Sequence, residues 1–155
     1  VADSDAGNRI FSRIREGNGQ TLATADAANT GSGRIYNNDA GPVAGYAFEG
    51  YRIEFTAADA WEVRDGAGTL VANGAYTPGE SIAFGGLDFR VEGAPAAGDA
   101  FDVEPSPNTD VFSIVDRLAA ALETGVNDDS GRAALDGAID RGIAGLDQAI
   151  ARVSA

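Results

Sequence analysis

Residues 98–125 read GDAFDVEPSPNTDVFSIVDRLAAALETG, and the period of the apolar side chains changes inside that stretch. Phe101 and Val103 alternate with Asp102 and Glu104, which suits a strand with one face in a core and one in water. From Val111 onward the apolar positions are Val111, Val115, Leu118 and Leu122, with steps of four, three and four, which suits a helix. Pro105 and Pro107 stand between the two patterns, and each removes a backbone donor and restricts the residue before it. The stretch predicts a β region that ends and a helical region that begins, with the boundary between residues 105 and 106.

Composition agrees with that division, since residues 1–105 hold 16 of the 21 glycines and all five prolines lie at or before Pro107. Short alternating segments recur in the first part. Tyr51, Ile53 and Phe55 face a predicted core opposite Arg52 and Glu54, and Trp61 and Val63 do so opposite Glu62 and Arg64. Leu87, Phe89 and Val91 repeat the pattern, and Ile82 with Phe84 gives a shorter example. Turn signals lie at residues 65–68, Asn73-Gly74, Gly85-Gly86 and residues 93–98. Strands at this spacing predict an antiparallel sandwich or open barrel. Residues 20–45 have weak periodicity, so a long loop with one strand near residues 34–36 is expected there.

In the second part, Ser106 or Asn108 is expected to cap the first helix, with Gly125 ending it. A second helix is expected to begin at residues 127–130 and to carry Leu135, Ile139, Gly142, Leu146, Ile150 and Val153 as its stripe. The stripe is still running at residue 155, and one short preceding helix cannot cover it. Each large apolar side chain left in water forgoes roughly 1.5 to 3 kcal/mol of burial. The two stripes together therefore form the expected packing seam, and the glycine on it would let another helix approach closely. The fold class is accordingly α+β: a Gly-rich antiparallel β region over residues 1–105, then two C-terminal helices over residues 106–155, an incomplete helical part.

The chain has 155 residues with 24 acidic and 11 basic side chains, all 11 of them Arg, for a formal net charge of -13. Binding to nucleic acid or to an anionic membrane depends on cationic contacts, so neither is expected as a partner. No apolar run approaches the roughly 20 residues of a membrane helix. Cys, His and Lys are absent, which removes thiol and imidazole chemistry, Schiff bases and most metal-ligand sets. No cofactor, metal or catalytic residue is expected. The polar start VADSDAGNRI has no initiator Met and reads as a piece of something longer or as a processed chain.

With these residues in view the sequence resembles the flagellar hook-associated proteins of type 3, the hook-filament junction family related to flagellin. The resemblance is carried by GDAFDVEPSPNTDVFSIVDRLAAALE at residues 98–123 and AALDGAIDRGIAGLDQAIARVSA at residues 133–155. The Gly-rich run EVRDGAGTLVANGAYTPGESIAFGGLDFRVEGAPAAGDAF at residues 62–101 and DSDAGNRIFSRIREGNGQ at residues 3–20 add to it. It implies a secreted, extracellular structural subunit of the bacterial flagellum, exported by the flagellar type III route. The implied partners are other copies of itself, a hook-side junction protein, flagellin-side filament proteins and an export chaperone. The implied architecture has an outward β region and helices belonging to an inner core. Relative to that family the N-terminal helices and the terminal C-terminal helix are lacking, so this chain alone is expected to be monomeric.

Other readings of the same residues compete. Trp61, Tyr46, Tyr51 and Tyr76 would line a sugar-binding surface if the chain were a stand-alone extracellular β binding module for carbohydrate or a host-surface ligand. That reading requires Trp61, Tyr51 and Phe89 to be exposed on one face, whereas aromatic residues on alternating strands are ordinarily core. Glu54 with Glu62 could form a glycosidase pair, although charges alternating with apolar residues are the usual wet face of a sheet. The run NDDS at residues 127–130 lacks the spread of ligands a calcium loop needs and reads as a helix start. Gly17-Asn18-Gly19 has no strand-then-helix frame for a phosphate loop.

Overall fold

The structure is a computed structural model that describes residues 12–36 and 45–153, without the side chains of Ser12, Arg152 and Val153. Among the described residues the strands are β1 (Ser12–Arg15), β2 (Thr21–Ala25), β3 (Arg34–Ile35), β4 (Tyr51–Ala57), β5 (Ala60–Asp65), β6 (Leu70–Ala75), β7 (Ser81–Phe84), β8 (Leu87–Glu92), β9 (Ala100–Pro105) and β10 (Asn108–Asp110). Two helices follow, α1 (Val111–Glu123) and α2 (Asp129–Val153). The fold is α+β.

The strands form a five-stranded sheet in the order β2-β9-β4-β5-β6, a three-stranded sheet β3-β8-β7 and a two-stranded ribbon β1-β10. All the pairings are antiparallel. The inner faces of the two larger sheets share one core, built by Ile53, Phe55, Val63, Phe89, Phe101 and Val103 among others. The sequence allows a sandwich or an open barrel; among the described residues the strands form separate sheets that face each other over this core, and no closed barrel. Alternation does what it predicts: Tyr51, Ile53 and Phe55 are buried while Arg52 is in water, tied to Asp26 at 2.6 Å and Asp102 at 2.8 Å.

Turn chemistry is only partly as expected. Asp65 closes β5 to β6 by accepting from Ala67 N at 2.9 Å and Thr69 N at 2.8 Å. Gly85 and Gly86, with φ of 52° and 78°, make the two-residue turn from β7 to β8 that a primed hairpin turn requires. Asn73-Gly74 is not a turn but lies within β6, opposite Glu62 and Trp61. The Trp61 ring covers Gly74 so closely that a Cβ there would sit 2.8 Å from Cζ2, and close approach rather than turning accounts for the glycine. Residues 93–98 join strands of different sheets. They are held by the buried Asp99 carboxylate, which accepts from Thr30 N at 2.8 Å, Gly31 N at 3.0 Å and Ala96 N at 2.9 Å.

The weakly patterned region holds two strands where one was expected, since β2 joins the β3 anticipated near residues 34–36; residues 37–44 lie outside the described residues. The prolines do not end strand structure. β9 reaches Pro105, and β10 pairs with β1 before α1 begins.

Candidate functional site: an apolar face on the helical hairpin

Asp110, not Ser106 or Asn108, caps α1, accepting from Ser113 N at 2.9 Å and Ser113 Oγ at 2.6 Å. Those bonds, the side-chain one foremost, hold its carboxyl below the ordinary range. At the other end Thr124 rather than a left-handed glycine closes the helix, its N–H and Oγ1 both reaching the Ala120 carbonyl. Asp128 caps α2 by accepting from Gly131 N at 2.7 Å, so the acidic run at residues 127–130 is a helix start.

The helices run antiparallel and touch through glycine. A Cβ on Gly145 would stand 2.9 Å from Ile114 Cδ1, and one on Gly142 would stand 3.3 Å from both Leu118 methyls. Ile114 and Ala149 meet Ile14 of β1 in a second small core, with Val111 and Leu146 packed against it. Ion pairs fasten the hairpin to the β region: Arg117 to Glu16 at 2.7 Å and Arg34 of β3 to Asp136 of α2 at 2.8 Å.

The expected seam residues therefore divide. Val111, Leu118, Gly142 and Leu146 lie at the contact between the helices or with β1, and Leu135 and Ile139 are half-buried. Val115, Leu122 and Ile150 turn outward, 49%, 60% and 62% exposed, joined by Phe112 at 67% and Ile143 at 49%. The side chain of Val153 is outside the described residues. Sequence reasoning missed Ile114, the most buried residue of α1, because the apolar face of that helix is broad enough to hold two stripes. The stripe through residues 111, 114 and 118 meets α2, and the one through residues 115 and 122 does not. Successive positions on a helix are 100° apart, so in an antiparallel pair the outward stripes of α1 and α2 share one side of the hairpin. The result is an apolar face of large side chains beside a closed internal contact.

The competing sites do not assemble. Tyr51 and Phe89 are 5% and 0% exposed, and Trp61 is half-buried with Nε1 donating to the Ala75 carbonyl at 3.0 Å. The Tyr46 and Tyr76 hydroxyls donate to the Glu49 and Gly93 carbonyls. Burial, then the hydrogen bond to the Glu49 carboxylate, pushes the Tyr51 phenol up to about 12. Glu54 faces Glu62 across β4 and β5, and Glu62 is bonded to Arg64 at 2.8 Å. Asn18 takes Gln20 N and Thr21 N on its Oδ1, making residues 17–19 a turn into β2.

Comparison with solved structures fits this geometry to a known shape. Two crystal structures of FlgL from Xanthomonas campestris match with TM-scores of 0.88 and 0.89 and 36% identity, over 96% of this chain. The chain is a structural relative of FlgL. It spans about half of that protein, 49% and 48% in the two structures. The flagellar junction protein FlgL from Legionella pneumophila has the same fold, with a TM-score of 0.87 and 24% identity over 96% of this chain and 50% of that one. No protein-family model and no curated protein sequence matches the chain. The match to FlgL, over 96% of this chain, thus takes in both the sandwich and the helical hairpin.

Proposed function

We propose that the chain is the β region and adjoining helices of a structural subunit at the hook-filament junction of a bacterial flagellum, working by packing rather than catalysis. The observation that carries this reading is the exposed apolar side of the hairpin on a FlgL-like fold. Val115, Leu122 and Ile143 are large side chains on helices already closed against each other, and another helix would remove them from water. Each is worth on the order of 1.5 to 3 kcal/mol once covered. In this reading residues 1–105 form the outward β part and residues 106–155 belong to an inner helical part. The covering helices come from the rest of a longer subunit and from neighbouring copies, with hook-side and filament-side proteins above and below. The subunit is extracellular and reaches its place by flagellar export, escorted by a chaperone.

The test is made in the full-length protein of a strain whose filaments depend on it. Val115→Asp combined with Ile143→Asp is expected to abolish swimming and to shed filaments into the medium, because a charge cannot be buried without a partner. The same pair of changes in the 155-residue chain should leave its circular dichroism unchanged. Normal swimming in the double variant would overturn the proposal.

A further inference from the structure

Between α2 and the β2–β3 segment lies a cavity of about 310 Å³. Ala25, Ile35 and Phe101 wall it on the β side, and Ala133, Ala134 and Gly137 on the helix side. At its inner end is Arg141, whose Nη1 lies 3.5 Å from where a Cβ on Gly137 would be, so the guanidinium reaches into the space the glycine leaves open. The other charged groups at this cavity are already satisfied. Asp26 holds Arg52 at 2.6 Å, and Arg34 holds Asp136 at 2.8 Å.

Arg141 is different. Glu16, the acidic group on its other side, is engaged by Arg117 at 2.7 Å. Asp140, next in sequence, has a buried Oδ2 without any hydrogen bond, so that oxygen makes no hydrogen bond to Arg141. Burial holds the Arg141 pKa below the ordinary guanidinium value, with Arg117 adding to the effect and Glu16 and Asp140 opposing it. A half-buried guanidinium at a cavity keeps donors available, and its planar fork fits a carboxylate with two parallel N–H···O bonds.

We propose that this cavity is a binding site for a single carboxylate on a short aliphatic stem, with Arg141 as the receptor group and the small side chains of α2 and the β2–β3 segment as the sleeve for the stem. The volume is at the lower end for ligand sites, which favours a small ligand. One cation, with the acidic Asp26 among the lining residues, suits a monoanion rather than a phosphate dianion. Such a group occurs as the side chain of glutamate in a polypeptide and as a free fatty acid of few carbons, and both present the same chemistry to Arg141.

The experiment follows the Arg141 Nε–Hε resonance and the Ala133 and Gly137 amides of the whole 155-residue chain by NMR. The probes are butyrate, neutral butyramide and the capped tripeptide acetyl-Ala-Glu-Ala-amide. Saturable shifts with butyrate and none with butyramide are expected, and Arg141→Gln should weaken binding by at least about tenfold, the loss of a charge-assisted hydrogen bond. Gly137→Leu, which fills the cavity and leaves the charge in place, should abolish the response and guards against misfolding of the first variant. Saturation by the tripeptide but not by butyrate supports the site with a polypeptide source, and saturation by both supports a free acid as well. The proposal is overturned if neither carboxylate saturates, if butyramide shifts the same resonances equally, or if Gly137→Leu binds as the parent does.

Discussion

Gly145 and Gly137 lie on the same helix, yet replacing them should move stability in opposite directions. In Gly145→Leu the new Cβ meets Ile114 Cδ1 at 2.9 Å and the Ile114 Cγ1 and Cγ2 atoms at 3.4 Å. Ile114 is 4% exposed and held by Ile14 and Ala149, so it has little room to yield. Overfilling a packed contact costs about 1 to 3 kcal/mol, while exchanging glycine for a good helix former returns about 0.8 to 1 kcal/mol. A 2.9 Å clash with a fixed branched side chain belongs in the upper part of that cost, about 2 to 3 kcal/mol, so the net expectation is a loss of about 1 to 2 kcal/mol, the helices being forced apart. At Gly137 the nearest atom to a Cβ is Arg141 Nη1 at 3.5 Å, an ordinary contact, so Gly137→Ala should add about 0.5 to 1 kcal/mol. Urea unfolding followed by far-ultraviolet circular dichroism measures both, read as midpoint shifts at constant slope. If Gly145→Leu proved as stable as the parent, or if both substitutions shifted the midpoint the same way, the close glycine contact between α1 and α2 would be wrong.

Four further perturbations address other parts of the molecule. Asp99→Ala strands three backbone donors in a buried junction and should cost at least about 3 kcal/mol, seen as a lowered thermal midpoint. Gly74→Ala should displace the Trp61 ring and shift its fluorescence to longer wavelength, with a loss of about 1 to 2 kcal/mol that Trp61→Ala in the same chain largely removes. Tyr51 has a raised folded pKa, so its contribution is complete below pH 10 and is lost as pH rises through about 12; Tyr36, Tyr46 and Tyr76 are raised as well, so phenolate absorbance should show late ionisation throughout, with a component near 12 that Tyr51→Phe deletes. Asp110 has a depressed folded pKa, so the stability it lends α1 is present above its ordinary value of 3.8 and is lost as pH falls through the folded value; Asp110→Asn should flatten that acid limb in a helicity titration.

The strands with strict alternation, residues 51–55, 87–91 and 101–104, were legible because one face of each is fully withdrawn from water and the other is charged. β2 and β6 were not. TLATA and LVANGA sit at the edges of their sheet and carry small or uncharged side chains, so no contrast marks their faces. β10 was hidden because NTD is a pattern for capping as well as for pairing, and only its partner β1, ninety-odd residues earlier in the chain, decides between them. The hairpin was legible as two helices with an apolar stripe. Which stripe closes inward was not, because the choice depends on where glycine on one helix admits a branched side chain of the other, and Gly145 with Ile114 is a pair that no periodicity links.

The ribbon of β1 and β10 has a consequence for how such chains can diversify. Glu16 N donates to the Pro107 carbonyl at 3.1 Å and Ser106 N to the Gln20 carbonyl at 2.9 Å, so the polypeptide departs and returns at one spot. Everything between Arg15 and Asn108 is a cassette closed by its own clasp. Chains whose ends lie close together tolerate being inserted into, or exchanged within, a larger host with little strain on it. The sandwich can therefore grow, shrink or change its surface while the segments on either side of the clasp keep their spacing, and a short turn grafted from residue 15 to residue 108 should leave α1 and α2 still anchored to Ile14.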